Sequence, residues 1–210
     1  MKKIITIDGP AGSGKGRIAK YISRKYKYFH IDSGVFYRRL AYEMSKNGIK
    51  KNEKSKIIKL IKNIKLLSPK KFKYLRKEKI GSLASEIARY DFVRNFVNSQ
   101  QRILVNTLKI NKFVVDGRDI GSVVFKRAML KLYIDVDINI RAKRRYKQLI
   151  DNGEKSIYQK ILRDIKLRDK KDKSRKNSPL VVPKKAIRIN NSNSFKITTS
   201  QICKIIESIN

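Results

Sequence analysis

The sequence contains very few of the residues that form disulfide bonds or that bind the metal ion in many metal sites. Cys203 is the only cysteine and His30 the only histidine among 210 residues. A single cysteine excludes an intrachain disulfide, argues against a cysteine-based zinc site and fits a reducing compartment. A single histidine excludes metal centres that need several imidazole ligands.

Long apolar runs are also missing. No stretch approaches the roughly 18–20 apolar residues that cross a membrane. The apolar run at residues 4–7 is too short for a secretory signal. We therefore expect a cytoplasmic protein that makes no use of a membrane. The length suits one domain, and we expect residues 1–210 to form it.

Acidic residues are scarce, because 17 Asp and Glu stand against 53 Lys and Arg and give a formal net charge of +36. Such a charge is typical of nucleic-acid binding. The basic residues are instead spread through residues 2–27, 46–79 and 141–176 and interleave with apolar periodicity. Lys, Ile and Asn are abundant together, and their A/T-rich codons make genome composition a sufficient explanation. We interpret the charge as a solvated surface that attracts anionic substrates, and expect no specific nucleic-acid partner.

A glycine-rich loop follows the apolar run and precedes a helical pattern. It reads Gly9, Pro10, Ala11, Gly12, Ser13, Gly14, Lys15, Gly16. The glycines let several backbone N–H groups point at one anion, and the lysine adds a mobile charge for the β- and γ-phosphates. The helix that follows contributes its free N–H groups and the positive end of its dipole. This order of strand, loop, lysine and helix predicts a nucleoside triphosphate site.

One position departs from the usual motif. A Ser or Thr normally follows the lysine, either directly or one residue later, and its hydroxyl helps to hold Mg²⁺, but Gly16 and Arg17 occupy these two positions here. A guanidinium only donates and cannot ligate a metal. Arg17 belongs to the predicted nucleotide-binding set, with two placements open. It reaches a donor phosphate, or it turns outward and leaves Mg²⁺ to phosphates, water and Asp116. The sequence does not identify the metal ligands.

Alternating strands and helices predict an α/β fold, a parallel sheet of about five strands wrapped by helices. Beyond the first strand, strands are expected at residues 29–31, 113–115, 130–136 and 186–189, and helices at 35–46, 55–65, 82–108, 138–149 and 157–172. Ligands bind at the carboxyl ends of such strands, where Asp32-Ser33-Gly34 and Asp116-Gly117-Arg118-Asp119 stand. The basic segment 65–79 is expected to be a surface excursion or a small lobe.

The last of these helices carries a stripe that changes character along its length. Its members follow one another at spacings of four, three, four and three: Ile161, Ile165, Arg168, Asp172 and Arg175. Such spacings predict one helical face. The first half is apolar and suits packing, and the second half is charged. Arginines aimed at a phosphate suit phosphoryl transfer, and an exposed ion pair is the alternative.

Taken together, these segments resemble the bacterial cytidylate kinases. The matching pieces occur in the family order over roughly residues 3–190: the loop Gly9–Gly16, Asp32-Ser33-Gly34 with Tyr37-Arg38, Ser85 with Arg94, Asp116–Asp119, Arg141-Ala142 with Arg144-Arg145, Arg168-Asp169 with Asp172 and Arg175, and Pro179-Leu180. The resemblance implies a P-loop kinase with a monophosphate-binding lobe at approximately 33–110 and a short lid region at approximately 145–180. It also implies a monomer that uses ATP and Mg²⁺ to convert CMP, and dCMP, to the diphosphate.

The resemblance also assigns roles to individual residues. The catalytic set is Lys15, Arg118, Arg168 and Arg175. The acceptor phosphate is bound by Ser33, Arg38, Arg118, Arg168 and Arg175, and the cytosine is read by Ser85, Arg94 and Asp119. Asp172 accepts from the ribose hydroxyls. Arg141, Arg144 and Arg145 lie on the lid side, where Arg141 and Arg145 are expected to reach the donor.

Two other functions remain open at this point. One is another P-loop small-molecule kinase acting on UMP, AMP or a non-nucleotide alcohol. The other, motivated by the charge and by Arg17, is a nucleic-acid-binding P-loop protein without transfer activity.

Overall fold

A computed structural model describes residues 2–64, 66, 73–151 and 153–209. The chain divides into two compact units. The first comprises Met1–His30 and Lys112–Asn210, and the second comprises Ile31–Asn111. None of the helices within the described ranges is both long enough and apolar enough to cross a bilayer.

The strands form one five-stranded sheet, which confirms the predicted α/β fold. They are β1 (Lys3–Asp8), β2 (Phe29–Asp32), β3 (Lys112–Gly117), β4 (Leu130–Asp135) and β5 (Ile187–Asn190). Their order across the sheet is β2-β3-β1-β4-β5. The pairs β1–β3, β1–β4 and β4–β5 are all parallel. The central position of β1 brings the glycine-rich loop to the middle of the carboxyl edge.

The described residues of the first unit form the helices α1 (Lys15–Tyr26), α6 (Ile138–Asp151), α7 (Tyr158–Lys173) and α8 (Phe195–Glu207). Ile7 of β1, Ile22 of α1 and Ile202 of α8 are fully buried in one apolar core. A second cluster joins α6 and α7 through Leu149, Ile161 and Ile165. Helix α8 is not among the helices that the sequence patterns predict. Ser194 caps it by accepting from the Ile197 N–H at 3.4 Å.

The second unit contains α2 (Ser33–Lys46), α3 (Lys54–Asn63), α4 (Glu78–Ile87) and α5 (Asp91–Thr107). The prediction of one helix over residues 82–108 is wrong, because the helix is interrupted: α4 ends at Ile87 and α5 begins at Asp91. Tyr90 lies in the break with an extended backbone, and its hydroxyl donates to the Lys51 carbonyl at 3.0 Å. The extended backbone at Tyr90 is incompatible with a continuous helix.

Only part of the basic segment 65–79 is described, since residues 65 and 67–72 lie outside the described residues. Lys73–Arg76 form a 3₁₀ turn, and α4 begins at Glu78. Leu75 is buried. The described end of the segment therefore packs within the second unit, to which it belongs.

Candidate active site

The glycine-rich loop between β1 and α1 is shaped by close backbone approaches. A Cβ on Gly9 would lie 2.5 Å from the Ile134 carbonyl oxygen, so only glycine fits there. Gly14 has φ +85° and caps α1, and a Cβ on it would lie 2.5 Å from Asn191 Nδ2. Both glycines are required by the fold of the loop, which leaves its backbone free to curve around an anion.

Two polar side chains of the loop are buried within it. Lys15 is 9% exposed, and its Nζ donates to the Pro10 carbonyl at 3.1 Å. Ser13 is fully buried, and its Oγ has no hydrogen-bond partner. A buried hydroxyl without a partner is costly. A lysine inside a glycine cradle is the arrangement that binds the phosphates of a nucleoside triphosphate.

Arg141 supports the loop from α6. Its Nη1 donates to the Ala11 carbonyl at 3.0 Å, and its Nε donates to the Val136 carbonyl at 3.1 Å. Its Nη2 lies 2.7 Å from Asp169 Oδ2, and both side chains are buried. The guanidinium thus ties the loop to α7, and its contact with a donor phosphate stays a prediction.

Asn191 supports the other side of the loop and was missed by the sequence reasoning. Its Nδ2 donates to the Ser13 carbonyl at 2.8 Å. Its Oδ1 accepts from Thr198 Oγ1 of α8 at 2.9 Å, and its own carbonyl accepts from Arg144 Nη2 at 2.9 Å. The only signal in the sequence is a polar residue directly after the last strand. A hydrogen bond between residues 178 positions apart in the chain cannot be predicted from that signal.

Arg17 turns away from the loop and lies against α8. Its guanidinium carbon is 3.8 Å from the centre of the Phe195 ring. Desolvation, and then the charge of Arg17, hold the pKa of the Arg144 guanidinium below its usual value. Arg145 is exposed and donates to Gln148 Oε1 at 3.0 Å. The sequence leaves two placements of Arg17 open, and its position in the structure supports the outward one.

Asp172 joins two of the predicted catalytic arginines. Its Oδ2 lies 3.0 Å from Arg118 Nε, and its Oδ1 lies 3.3 Å from Arg175 Nη2. All three side chains are less than one fifth exposed. Two guanidiniums sharing one carboxylate leave donors over for a second anion, since each guanidinium has five N–H groups.

The charged stripe on α7 needs correction at its end. Helix α7 ends at Lys173, so Arg175 does not belong to the helical face. It reaches Asp172 because the chain turns after the helix, and its Nε also donates to the Asp172 carbonyl at 3.3 Å. Arg168 is exposed. The apolar half of the stripe, Ile161 and Ile165, is buried as predicted.

Three aspartates lie near the carboxyl end of β3 and β1. Asp116 is buried, and its Oδ1 lies 2.6 Å from His30 Nε2. Asp119 is 3% exposed and precedes a short π-helix that begins at Ile120. Asp8 accepts from the Ile120 and Gly121 N–H groups, each at 2.8 Å. Burial raises the pKa of Asp8 to about 6, against the lowering effect of these two hydrogen bonds.

The second unit carries the remaining predicted residues. Ser33 begins α2, where Asp32 caps the helix by accepting from the Gly34 N–H at 3.0 Å. Arg94 of α5 is 3% exposed, and its guanidinium lies 5.7 Å from the centre of the Tyr37 ring. Arg38 of α2 and Ser85 of α4 are half-buried.

Comparison with known proteins identifies relatives over most of the chain. The cytidylate kinase family model matches residues 5–210. A cytidylate kinase of Rickettsia akari is 41% identical over 189 residues, which cover 90% of this chain and 84% of the relative. A cytidylate kinase of Thermodesulfovibrio yellowstonii is 35% identical over an alignment that covers 98% of this chain and 96% of the relative.

Solved structures with little sequence similarity share the fold. TT1252 from Thermus thermophilus superposes with a TM-score of 0.55 at 14% identity, over 100% of this chain and 98% of that one. Shikimate kinase from Bacteroides thetaiotaomicron gives 0.52 at 12% identity, over 98% of each chain. At such identities the likeness establishes the fold alone.

Proposed function

Because the chain belongs to the cytidylate kinase family, we propose that it transfers the γ-phosphoryl group of ATP to CMP, and also to dCMP. The family match over almost the whole chain carries this proposal. The buried Lys15 inside the glycine cradle supports it, because a lysine at this place neutralises the charge of the donor phosphates.

Asp116, near the end of β3 and beside the first turn of α1, fits a magnesium–nucleotide complex. The Asp116 carboxylate supplies oxygen, which Mg²⁺ prefers, and Mg²⁺ commonly binds one or two carboxylates together with substrate phosphates. In the described part of the chain, no three His, Cys, Asp or Glu side chains are grouped as an all-protein metal site requires. Asp116 would hold the metal together with the phosphates. When bound, Mg²⁺ neutralises charge on the triphosphate.

The transfer needs positioning and charge neutralisation more than acid–base chemistry. A phosphate oxygen of CMP attacks the γ-phosphorus, a new P–O bond forms, and the bond to the β-phosphate oxygen breaks to release ADP. No general base is required, because a phosphate monoester has its second pKa at about 6. Lys15 neutralises the donor, and Arg118, Arg168 and Arg175 neutralise the transferring group and the acceptor.

Recognition of the acceptor is assigned to the residues that the family resemblance selects. Ser33 and Arg38 bind the acceptor phosphate, Ser85, Arg94 and Asp119 read the cytosine, and Asp172 accepts from the ribose. A carboxylate suits the exocyclic amine of cytosine, which donates. We retain residues 33–110 as the monophosphate-binding lobe, residues 145–180 as the lid region and a monomeric state as parts of the proposal.

A turnover assay on the purified protein tests the proposal. ATP, Mg²⁺ and each of CMP, dCMP, UMP and AMP are compared by the release of ADP, with single-stranded RNA in a parallel binding assay. CMP is expected to give the highest kcat/KM. A higher kcat/KM for UMP or AMP would favour another monophosphate kinase. RNA binding without turnover of any monophosphate would favour a nucleic-acid-binding protein.

A further inference from the structure

The only histidine of the chain is largely buried and lies against a carboxylate. His30 lies on β2 and Asp116 on β3, with 2.6 Å between His30 Nε2 and Asp116 Oδ1. Their side chains are 10% and 7% exposed. A carboxylate only accepts, so Nε2 donates, and this sets which ring nitrogen carries the proton. A hydrogen bond to an ionised carboxylate at this length is among the stronger ones in proteins.

Asp116 also faces the nucleotide loop. It pairs in register with Ile7 of β1, one residue before the strand ends. Its second oxygen, Oδ2, lies 3.6 Å from the position that a Cβ on Gly16 would occupy. The two carboxylate oxygens therefore face different neighbours: Oδ1 contacts the histidine, and Oδ2 lies towards the first turn of α1.

That turn lacks a side-chain oxygen of its own. Gly16 has no side chain, and the Arg17 guanidinium lies on Phe195. A carboxylate oxygen aimed at the same turn supplies a ligand type that these two residues do not. An outer partner that holds one oxygen of a carboxylate restricts the direction of the other, and such partners tune metal affinity strongly.

We propose that His30 is a positioning residue for phosphoryl transfer, because it holds Oδ1 of Asp116 so that Oδ2 meets the magnesium–triphosphate at the first turn of α1. This inference rests on the proposed function, since it assigns Asp116 to the same donor site. His30 itself does not touch the substrate. Its effect is exerted through Asp116 on magnesium affinity.

Magnetic resonance offers a direct readout, because a single histidine gives one unambiguous set of imidazole signals. The wild-type protein is labelled with ¹⁵N-histidine and titrated with ADP plus Mg²⁺, ADP plus EDTA, or CMP alone. We expect the His30 signals to differ between ADP with Mg²⁺ and ADP with EDTA, and to be unmoved by CMP. Identical signals with and without Mg²⁺ would overturn the proposal. Because this readout needs no turnover, it remains valid even if CMP is not the acceptor.

Variants separate positioning from packing. His30→Gln keeps a donor at a similar reach, whereas His30→Leu removes it, and Phe29→Leu is the matched control because Phe29 packs on Phe113 with ring centres 5.9 Å apart. We expect His30→Leu to raise the Mg²⁺ concentration for half-maximal activity by about tenfold. The KM for CMP should stay within a factor of about two, since the acceptor residues are untouched.

The remaining variants decide the interpretation. His30→Gln should recover most of the magnesium affinity, and Phe29→Leu should lower the thermal midpoint without changing the magnesium dependence. Equal losses of magnesium affinity in His30→Leu and His30→Gln would contradict the proposal. So would a Phe29→Leu protein with the same magnesium defect, because the effect would then be one of packing.

Discussion

The guanidinium of Arg17 stacks on the ring of Phe195, with 3.8 Å between the guanidinium carbon and the ring centre. Tyr21 meets the same ring edge-on at 5.9 Å. The first turn of α1 is thereby fastened to the start of α8. The residue that departs from the usual loop motif has a structural partner that the motif residue would not have.

Replacing Arg17 with Thr tests whether this partner is its role. Arg17→Thr should restore the hydroxyl of the usual motif and leave kcat unchanged or higher. Magnesium should bind more tightly, so that half-maximal activity is reached at a lower Mg²⁺ concentration. Losing the stacked cation should cost roughly 0.5–1 kcal/mol of unfolding free energy, as for other exposed cation–π pairs. Steady-state kinetics and urea unfolding measure the two effects.

Phe195→Leu is the matched control for Arg17→Thr, because it removes the ring and keeps the motif position. It should lose a comparable amount of stability and retain kcat. If Arg17→Thr instead lowers kcat by more than about tenfold, or about 1.4 kcal/mol of barrier, Arg17 takes part in catalysis.

Asp119 is expected to read the base. Asp119→Ala should raise the KM for CMP steeply and narrow the preference for CMP over UMP, because the acceptor for the exocyclic amine is removed. ATP affinity should hardly change. Asp164→Ala, which removes an exposed carboxylate of α7, is the control. Full retention of the CMP preference in Asp119→Ala would remove this residue from the recognition set.

The arginines around α7 are expected to stabilise the transition state. Arg168→Ala and Arg175→Ala should each lose on the order of 3–5 kcal/mol in kcat/KM, as for other arginines in phosphoryl transfer. Arg163 is exposed on another face of α7, so Arg163→Ala should cost little. Similar losses in the Arg163 and Arg168 variants would show that the face of the helix does not decide the role.

The high net charge makes a prediction about salt. If the charge of +36 is mainly solvated surface, affinity for mixed-sequence RNA should collapse between low and physiological salt through counterion release. CMP turnover at saturating substrate should change far less. Filter binding and the kinetic assay over one salt series compare the two. Submicromolar RNA binding that persists at physiological salt would favour a nucleic-acid role.

Asp8 makes a prediction about pH. Burial raises its folded-state pKa to about 6 from an ordinary 3.8, so its contribution to stability is complete below the unfolded value and is lost as the pH rises through about 6. We compare the free energy of unfolding of the wild type with that of Asp8→Asn. The difference, wild type minus variant, should fall by an amount on the order of 3 kcal/mol from about pH 4 to 7. Urea denaturation at constant ionic strength measures it. A difference that is constant with pH would contradict the raised pKa.

Local patterns were sufficient for most of the fold. The apolar strands, the glycine-rich loop and the long helices depend on periodicity and on residues with special backbone freedom, and these act over a few neighbouring positions. The parallel sheet follows from their alternation. The break between Ile87 and Asp91 was not predicted from periodicity, and the contact found there, from the Tyr90 hydroxyl to the Lys51 carbonyl, joins residues 39 positions apart in the chain.

The sequence by itself determined a phosphate-binding loop, an α/β fold and, through its resemblance to a family, the candidate residues. Only the tertiary structure decided how these residues are paired. It placed Asp172 between Arg118 and Arg175, Asn191 on the loop at Ser13, and His30 on Asp116. The physical reason is that hydrogen bonds and ion pairs act over about 3 Å in space, whereas these partners are separated in the chain by up to 178 positions.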